Sequence, residues 1–247
     1  MKKGKVFICG AGPGDPKLIT LRAKELLKTC DIVLYDRLVD EEIINQIPEG
    51  TVKIYVGRTV GDPANQQDRT NELMVKHAKE GKNVLRLKGG DPFMFGRGAE
   101  EAEYLVTRGI GFEIVPGITS AIASPAYAGI PLTHRRYSSS VAIVTGHEGA
   151  EKNDLTVKWE KLAGAVDTIV VLMGIGQLAQ ISRDLLRAGM KKSTNVAIVE
   201  SGTTDKQRVV RGTLGTIAGT AKKAGIKPPA VIVIGRVASL DKLEWVK

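Results

Sequence analysis

The chain of 247 residues is 43% hydrophobic and 26% charged, enough apolar content for one or two buried cores and too much for intrinsic disorder. No stretch approaches the roughly 18 consecutive apolar residues of a membrane-spanning helix. Lys and Arg number 36 against 27 Asp and Glu, and the net charge of +9 favours a polyanionic partner: nucleic acid, an acidic membrane surface, or a small substrate with several carboxylates or phosphates. Aromatic residues, at 4%, are too few to build the stacking platforms of single-strand nucleic-acid binding.

The first apolar run, Val6 to Cys9, is shorter than the about 7–15 residues of a secretory signal and predicts a β-strand. It empties into Gly10-Ala11-Gly12-Pro13-Gly14-Asp15-Pro16. A dinucleotide fingerprint needs a glycine where this chain has Asp15, and a carboxylate at a helix N-terminus repels a pyrophosphate, so NAD and FAD are disfavoured. The glycines still admit a ligand close to the backbone, with an ordinary tight turn as the alternative. Ile19, Ala23, Leu26 and Leu27 then share one helical face. Cys9 and Cys30 fit no metal or redox spacing and are expected as reduced core thiols of a cytoplasmic protein.

Further strands are predicted at Ile32–Tyr35, Val52–Val56, Val84–Leu87 and Phe112–Val115, and, after a break, at Val141–Thr145, Thr168–Leu172, Asn195–Val199 and Val231–Ile234. Such near-continuous apolar blocks suit strands buried on both faces of a parallel sheet. Helical spacing recurs at Ala99, Ala102, Leu105 and Val106, and at Leu178, Ile181, Leu185 and Leu186 before Gly189. The alternation gives an α/β fold with mainly parallel sheets. Pro116, Pro125 and Pro131 punctuate a connection, Pro116–Ser140, between an N-terminal α/β domain of residues 1–115 and a linker with a C-terminal α/β domain, 116–247. A cleft between two such domains is a favoured ligand site.

A second glycine loop, Lys88-Gly89-Gly90-Asp91-Pro92-Phe93-Met94-Phe95-Gly96-Arg97-Gly98, follows another buried strand. Two Gly-Asp-Pro loops then share the carboxyl edge of one sheet, where open α/β sheets bind ligands. Phe93, Met94 and Phe95 line a pocket, pack against the other domain, or belong to a core. No phosphate-binding P-loop, nucleophile elbow or zinc-protease motif occurs, and His77, His134 and His147 are scattered. His77 is expected to be structural, whereas His134 beside Arg135 and Arg136 suits an anion. No metal site is expected.

Several segments together carry a resemblance: Gly10 to Pro16, Tyr35-Asp36-Arg37-Leu38-Val39, Gly89 to Phe93, Val115-Pro116-Gly117-Ile118-Thr119-Ser120-Ala121, Tyr127-Ala128-Gly129-Ile130-Pro131-Leu132-Thr133-His134-Arg135, Gln207-Arg208-Val209-Val210-Arg211-Gly212 and Gly235-Arg236-Val237. In order and over essentially the whole chain, they resemble the uroporphyrinogen-III C-methyltransferases of the tetrapyrrole methylase superfamily. The glycine loops alone point to the superfamily; the Tyr127–Arg135 block and the C-terminal segments narrow it to this branch.

The resemblance implies two α/β domains with S-adenosyl-L-methionine bound between them, usually in a homodimer, and no metal, nucleic-acid or membrane partner. It implies two methyl transfers, to C-2 and C-7 of uroporphyrinogen III, giving precorrin-2; a sister enzyme acting on a later corrin precursor is the alternative. By position, the cofactor contacts fall on Pro13, Gly89, Gly90, Asp91, Met94, Thr119, Ser120, Met173 and Gly202, and a catalytic proton acceptor on Asp36. The chain departs from the pattern at Arg58, where the family has a lysine proton donor, and Val60–Ala64 lacks the family's usual histidine. Arg58 stays protonated, so as a catalytic-site residue it is expected to hold a substrate carboxylate, with acid catalysis dispensable or supplied by water. The substrate's eight carboxylates give the positive net charge a specific meaning, and Arg37, Arg97, Arg135 and Arg136 flank the loops.

Overall fold

Strand β1 (Val6–Gly10) begins a chain that alternates strand and helix: α1 (Leu21–Thr29), β2 (Ile32–Tyr35), α2 (Glu41–Ile44), β3 (Val52–Tyr55), α3 (Gln66–Lys79), β4 (Val84–Lys88), α4 (Gly98–Val106) and β5 (Phe112–Val115). There follow α5 (Ser120–Tyr127), β6 (Val141–Thr145), α6 (Trp159–Leu162), β7 (Thr168–Leu172), α7 (Leu178–Arg187), β8 (Asn195–Glu200), β9 (Arg208–Thr213), α8 (Ile217–Lys223) and β10 (Ala230–Gly235). The computed structural model describes residues 4–57, 66–146, 157–240 and 243. The chain divides into two units, Met1–Thr119 and Ser120–Lys247.

The sheet of the first unit has the order β3-β2-β4-β1-β5, and all four pairings are parallel. Parallel strands need crossovers, and these place helices on both faces. One face buries Phe7, Cys9, Val33, Leu85 and Leu87 against α1 and α2 through Leu26, Leu27 and Ile43. The opposite face buries Val6, Ile8, Ile32, Leu34 and Val84 against α3 and α4 through Met74, Ala78, Ala102 and Leu105. Successive side chains alternate between the faces and both are covered, so β1 and β2 read as unbroken apolar blocks, whereas β3, at the sheet edge, is largely exposed rather than buried on both faces as its sequence suggested. Helix α1 starts where the Thr20 hydroxyl accepts the Ala23 N–H at 3.2 Å, one of the orphan donors of the first turn.

The second unit holds a sheet of order β6-β7-β10-β8-β9, in which β6 pairs β7 in parallel and the other three pairings are antiparallel. The parallel arrangement read from the apolar blocks describes the first sheet; the second is mixed. Covering on both faces erases polar alternation whichever way a strand runs, so β10 between β7 and β8 looks like a parallel strand in sequence. Its two faces bury Ile169, Ile198 and Ile232 against α7 and α8, and Val170, Leu172 and Val231 against Ala121 of α5.

Two elements escape the sequence pattern. Strand β9, which the sequence pattern did not predict, is an edge strand, half-buried to exposed, and carries Arg208 and Arg211. Charge on an edge strand blocks unwanted pairing, and Arg208 pairs with Glu200 in register across from it. Helix α5 lies inside the expected connection and includes Pro125, which removes one backbone donor. Burial of Ala121, Ala123 and Ser124 outweighs that loss.

Among the described residues no helix is long and apolar enough to cross a membrane. Cys9 and Cys30 are free, and both sit in the core beside α1. Burial pushes each thiol up to about 12, with Cys30 adding to the shift on Cys9 and Asp31 to that on Cys30. Native protein is therefore expected to give no fast reaction with an aromatic disulfide reagent at pH 8. The same reagent should titrate both thiols in denaturant, and rapid native labelling would contradict this burial.

Candidate functional site

Strands β1 and β4 are neighbours at the middle of the first sheet, but the chain leaves them in opposite directions. From β1 it runs through α1 on one face to β2, and from β4 through α4 on the other face to β5. Such a switch point opens a crevice at the carboxyl ends of the strands. The loops there are bonded to each other: the Gly12 N–H donates to Gly90 O at 3.2 Å, Gly90 N–H to Gly12 O at 2.6 Å, and Ala11 N–H to Lys88 O at 2.7 Å. A Cβ on Gly10 would lie 2.4 Å from Gly90 O, and one on Gly117 would lie 2.2 Å from the same atom. Asp91 fastens these loops, its Oδ1 accepting the Phe93 N–H at 2.8 Å and its Oδ2 the Gly117 N–H at 3.0 Å. Asp15 caps a short helical turn by accepting the Lys17 N–H at 2.8 Å.

Beside the crevice Asp36 belongs to a group of charges whose other members, Arg86, Lys88 and Glu101, the sequence reading missed. Arg86 of β4 donates from Nη2 to both Asp36 oxygens, at 2.8 and 2.9 Å, and from Nε to Glu101 Oε1 at 3.0 Å. Lys88 Nζ donates to the same Glu101 oxygen at 3.0 Å and stands 3.8 Å from Asp36 Oδ2. Gln67 Nε2 donates to Glu101 Oε1 at 3.1 Å, whereas Glu101 Oε2 is buried without a partner. The Arg86, Lys88 and Glu101 side chains are at most 5% exposed, and that of Asp36 is 27% exposed. Burial pushes the Lys88 ammonium down, Arg86 adds to this, and the two carboxylates do not restore it. Burial raises the Glu101 carboxyl, but the charges of Arg86 and Lys88 outweigh it and leave the carboxyl below its ordinary range. For Arg86 burial works downward, and the charges of Glu101 and Asp36 reverse it. The available signal was a pair of cations, two residues apart, inside a strand otherwise buried: they share a face and need an acid on the covering helix.

A model of the tetrapyrrole (corrin/porphyrin) methylases matches residues 5–218. The chain belongs to the tetrapyrrole methylase family. It is 51% identical over 243 residues to the uroporphyrinogen-III C-methyltransferase of Bacillus subtilis, covering 98% of this chain and 94% of that protein. With the S-adenosyl-L-methionine-dependent uroporphyrinogen III methyltransferase of Methanosarcina barkeri it shares 48% over 240 residues, 97% of this chain and 94% of the relative. Among solved structures, the uroporphyrin-III C-methyltransferase of Thermus thermophilus, complexed with S-adenosylhomocysteine, superposes with a TM-score of 0.82 at 40% identity, covering 95% and 98% of the two chains.

In this tetrapyrrole methylase the expected contacts fall into two groups, one in each unit. Pro13, Gly89, Gly90, Asp91 and Met94 lie on the paired loops of the first, on the same sheet edge as Asp36. Thr119 ends the first unit and Ser120 opens the second. Met173 follows β7 and Gly202 follows β8; both strands run antiparallel to β10, so these residues share one edge of the second sheet. Gly202 is pressed against α5, where a Cβ would meet the Ser124 Cβ at 2.3 Å. Arg58, the Val60–Ala64 segment and His147 lie outside the described residues. Phe93, Met94 and Phe95 are exposed, which removes the core-packing alternative for them. His77 pairs with Glu80. His134 is occupied by its own turn, stacked on Tyr137 with Nδ1 accepting the Arg136 N–H at 3.1 Å. Arg97 pairs with Glu100. Gln207, just before β9, and Arg211 within it hold the C-terminal end of α5, donating to the carbonyls of Tyr127 and Ala128.

Among the described residues, the non-glycine positions with positive φ are Phe95, Arg97, Met173, Ser201 and Thr203. All of them follow the carboxyl ends of β4, β7 and β8, on the edges that carry the expected contacts. Such conformations cost about 1–3 kcal/mol each and cluster where backbone is shaped for a ligand.

Removing Glu101 leaves two buried cations with only the partly exposed Asp36 as a nearby acid. Glu101→Ala is therefore expected to lower the unfolding free energy by about 3–5 kcal/mol in urea titration. Because the folded carboxyl titrates below its ordinary value of 4.5, its contribution is complete above that value and is lost as pH falls through the folded value. The stability gap between wild type and Glu101→Gln should therefore narrow on acidification below pH 4.5; a gap independent of pH would contradict the pairing.

Proposed function

We propose that this chain catalyses two methyl transfers from S-adenosyl-L-methionine to uroporphyrinogen III, at C-2 and C-7, giving precorrin-2 and two S-adenosylhomocysteines. The observation that carries this is similarity near 50% over almost the whole chain to proteins of that activity, together with a carboxylate at the loop-lined edge. The loops fit the cofactor chemically. They offer glycine backbone and exposed Phe93, Met94 and Phe95, and the Asp91 carboxylate accepts two backbone N–H groups. Pro13, Gly89, Gly90, Asp91, Met94, Thr119, Ser120, Met173 and Gly202 would hold it.

When bound, S-adenosylmethionine supplies the methyl group from a positively charged sulfonium. The ring carbon that takes the methyl gains that charge, and the ring discharges it by releasing one proton. Each turnover thus needs a proton acceptor and no net proton donor. Asp36, partly exposed at the crevice and hydrogen-bonded by Arg86, accepts that proton at a carboxylate oxygen. On this balance a proton-donating lysine is dispensable, and Arg58 is free to hold a substrate carboxylate as a planar fork. Alignment of acceptor and donor by the preformed loops supplies the rest of the rate. The working form in this proposal is a homodimer, an expectation of the resemblance that light scattering tests.

Anaerobic incubation with labelled cofactor and uroporphyrinogen III is expected to give a product carrying two added methyl groups by mass spectrometry. Methylation of a later corrin precursor alone would favour a sister activity, and none at all despite cofactor binding would sink the proposal. Asp36→Asn should lower kcat by about 100- to 10,000-fold and leave S-adenosylhomocysteine binding unchanged in calorimetry.

A further inference from the structure

Proton acceptance by Asp36 leaves three charged side chains, Arg86 and Lys88 of β4 and Glu101 of α4, without a part in the chemistry. Arg86 meets the aspartate through a single nitrogen, Nη2, set almost equally from both carboxylate oxygens. A donor placed so fixes the plane of the carboxylate and the direction of its free lone pairs. The guanidinium is held at a second point, because Nε reaches Glu101 Oε1 from β4 to α4, and Nη1 lies 3.4 Å from Leu87 O. Lys88, on the same strand face two residues on, completes the charge balance by donating to Glu101.

Exposure separates the group into layers. Arg86 and Glu101 are enclosed, and only Asp36 reaches the crevice. Whatever the inner residues do for the reaction, they do through the aspartate. A purely stabilising purpose accounts poorly for the arrangement: apolar packing serves stability as well as a buried ion pair, and Glu101 Oε2 is left without a hydrogen bond.

We propose that Arg86, held in place by Glu101, is a positioning residue that sets the plane and direction of the Asp36 carboxylate. The proposal rests on the reading of Asp36 as proton acceptor. Arg86→Lys keeps the charge and loses the two-point grip. Glu101→Gln keeps an acceptor for Arg86 and loses the counter-charge.

The experiment is a kinetic double-mutant cycle with single turnovers at excess enzyme, so that slow variants are still measured. Arg86→Lys should lower the methyl-transfer rate by about 100-fold, the scale of a small misplacement of a reacting group. KM for the tetrapyrrole and the dissociation constant of S-adenosylhomocysteine should stay within about twofold. In the Asp36→Asn background the same substitution should cost less than about threefold, since no carboxylate remains to be aimed. A loss of equal size in both backgrounds, or one confined to KM and cofactor binding, would overturn the proposal. If Arg86→Lys melts below the assay temperature, Glu101→Gln is carried through the same cycle with the same expected coupling to Asp36. If Asp36→Asn alone keeps the wild-type rate, the assignment of the proton acceptor fails, and the positioning role fails with it. A slow Asp36→Asn with an unimpaired Arg86→Lys overturns the positioning role alone.

Discussion

At the carboxyl edge of the first sheet, main chain meets main chain. Gly90 O stands where a side chain on Gly10 or Gly117 would have to begin, so the turns after β1, β4 and β5 approach to a distance that only glycine permits. The paired N–H and carbonyl groups of Gly12 and Gly90 satisfy the backbone as the loops turn away from the sheet. The placement of the remaining groups follows from this contact. Asp91 reaches the Gly117 amide because the turns after β4 and β5 are already together. Because β2 also borders β4, Asp36 ends beside Arg86.

The buried charges carry a different kind of constraint. Their desolvation is expensive, and mutual attraction repays it only when hydrogen bonds are complete. Here they are nearly so: one oxygen of Glu101 takes three donors, and the other takes none. Arginine suits the centre of such a group because its planar fork spans two acids at fixed angles and it keeps its proton at any physiological pH. Lysine at position 88 is a point charge, and burial weakens its hold on the proton. The two cations of β4 therefore differ in kind: Arg86 bridges Asp36 and Glu101, whereas Lys88 mainly balances the charge of Glu101.

Much of this was legible in the residues because burial on both faces leaves so plain a mark. Val6–Cys9, Ile32–Tyr35 and Thr168–Leu172 announce strands by composition alone, and glycine clusters mark the turns. Direction leaves no such mark, which is why β10 gave no sign of running against its neighbours. Strand β9 was hidden by its own edge position, where Arg208 and Arg211 replace apolar residues. Pro125 read as a breaker because local propensity ignores the packing that holds α5. The charge group was hidden for a more general reason. A charged residue is usually a solvated one, and only three-dimensional proximity shows that Arg86 and Glu101, distant in sequence, neutralise each other in the dark of the core.

The two units present different groups at their strand ends. In the second unit Asp167 accepts the backbone N–H groups of Ser139 and Ser140, and Glu200 takes Arg208 and the Lys227 N–H. What that unit presents at its strand ends is backbone under strain, at Met173, Ser201 and Thr203, and a glycine pressed on Ser124. Strained backbone persists only where surrounding packing over-determines it, as β7 and β8 do from the middle of a covered sheet. Such an edge can shape a binding surface. In the first unit, by contrast, Asp36 joins a partly exposed carboxylate to a rigid, charged support, and it is the proton acceptor of the proposed reaction. In the proposed reaction the methyl donor arrives already activated, so the protein needs to hold its reactants in line and to take away a single proton for each methyl delivered.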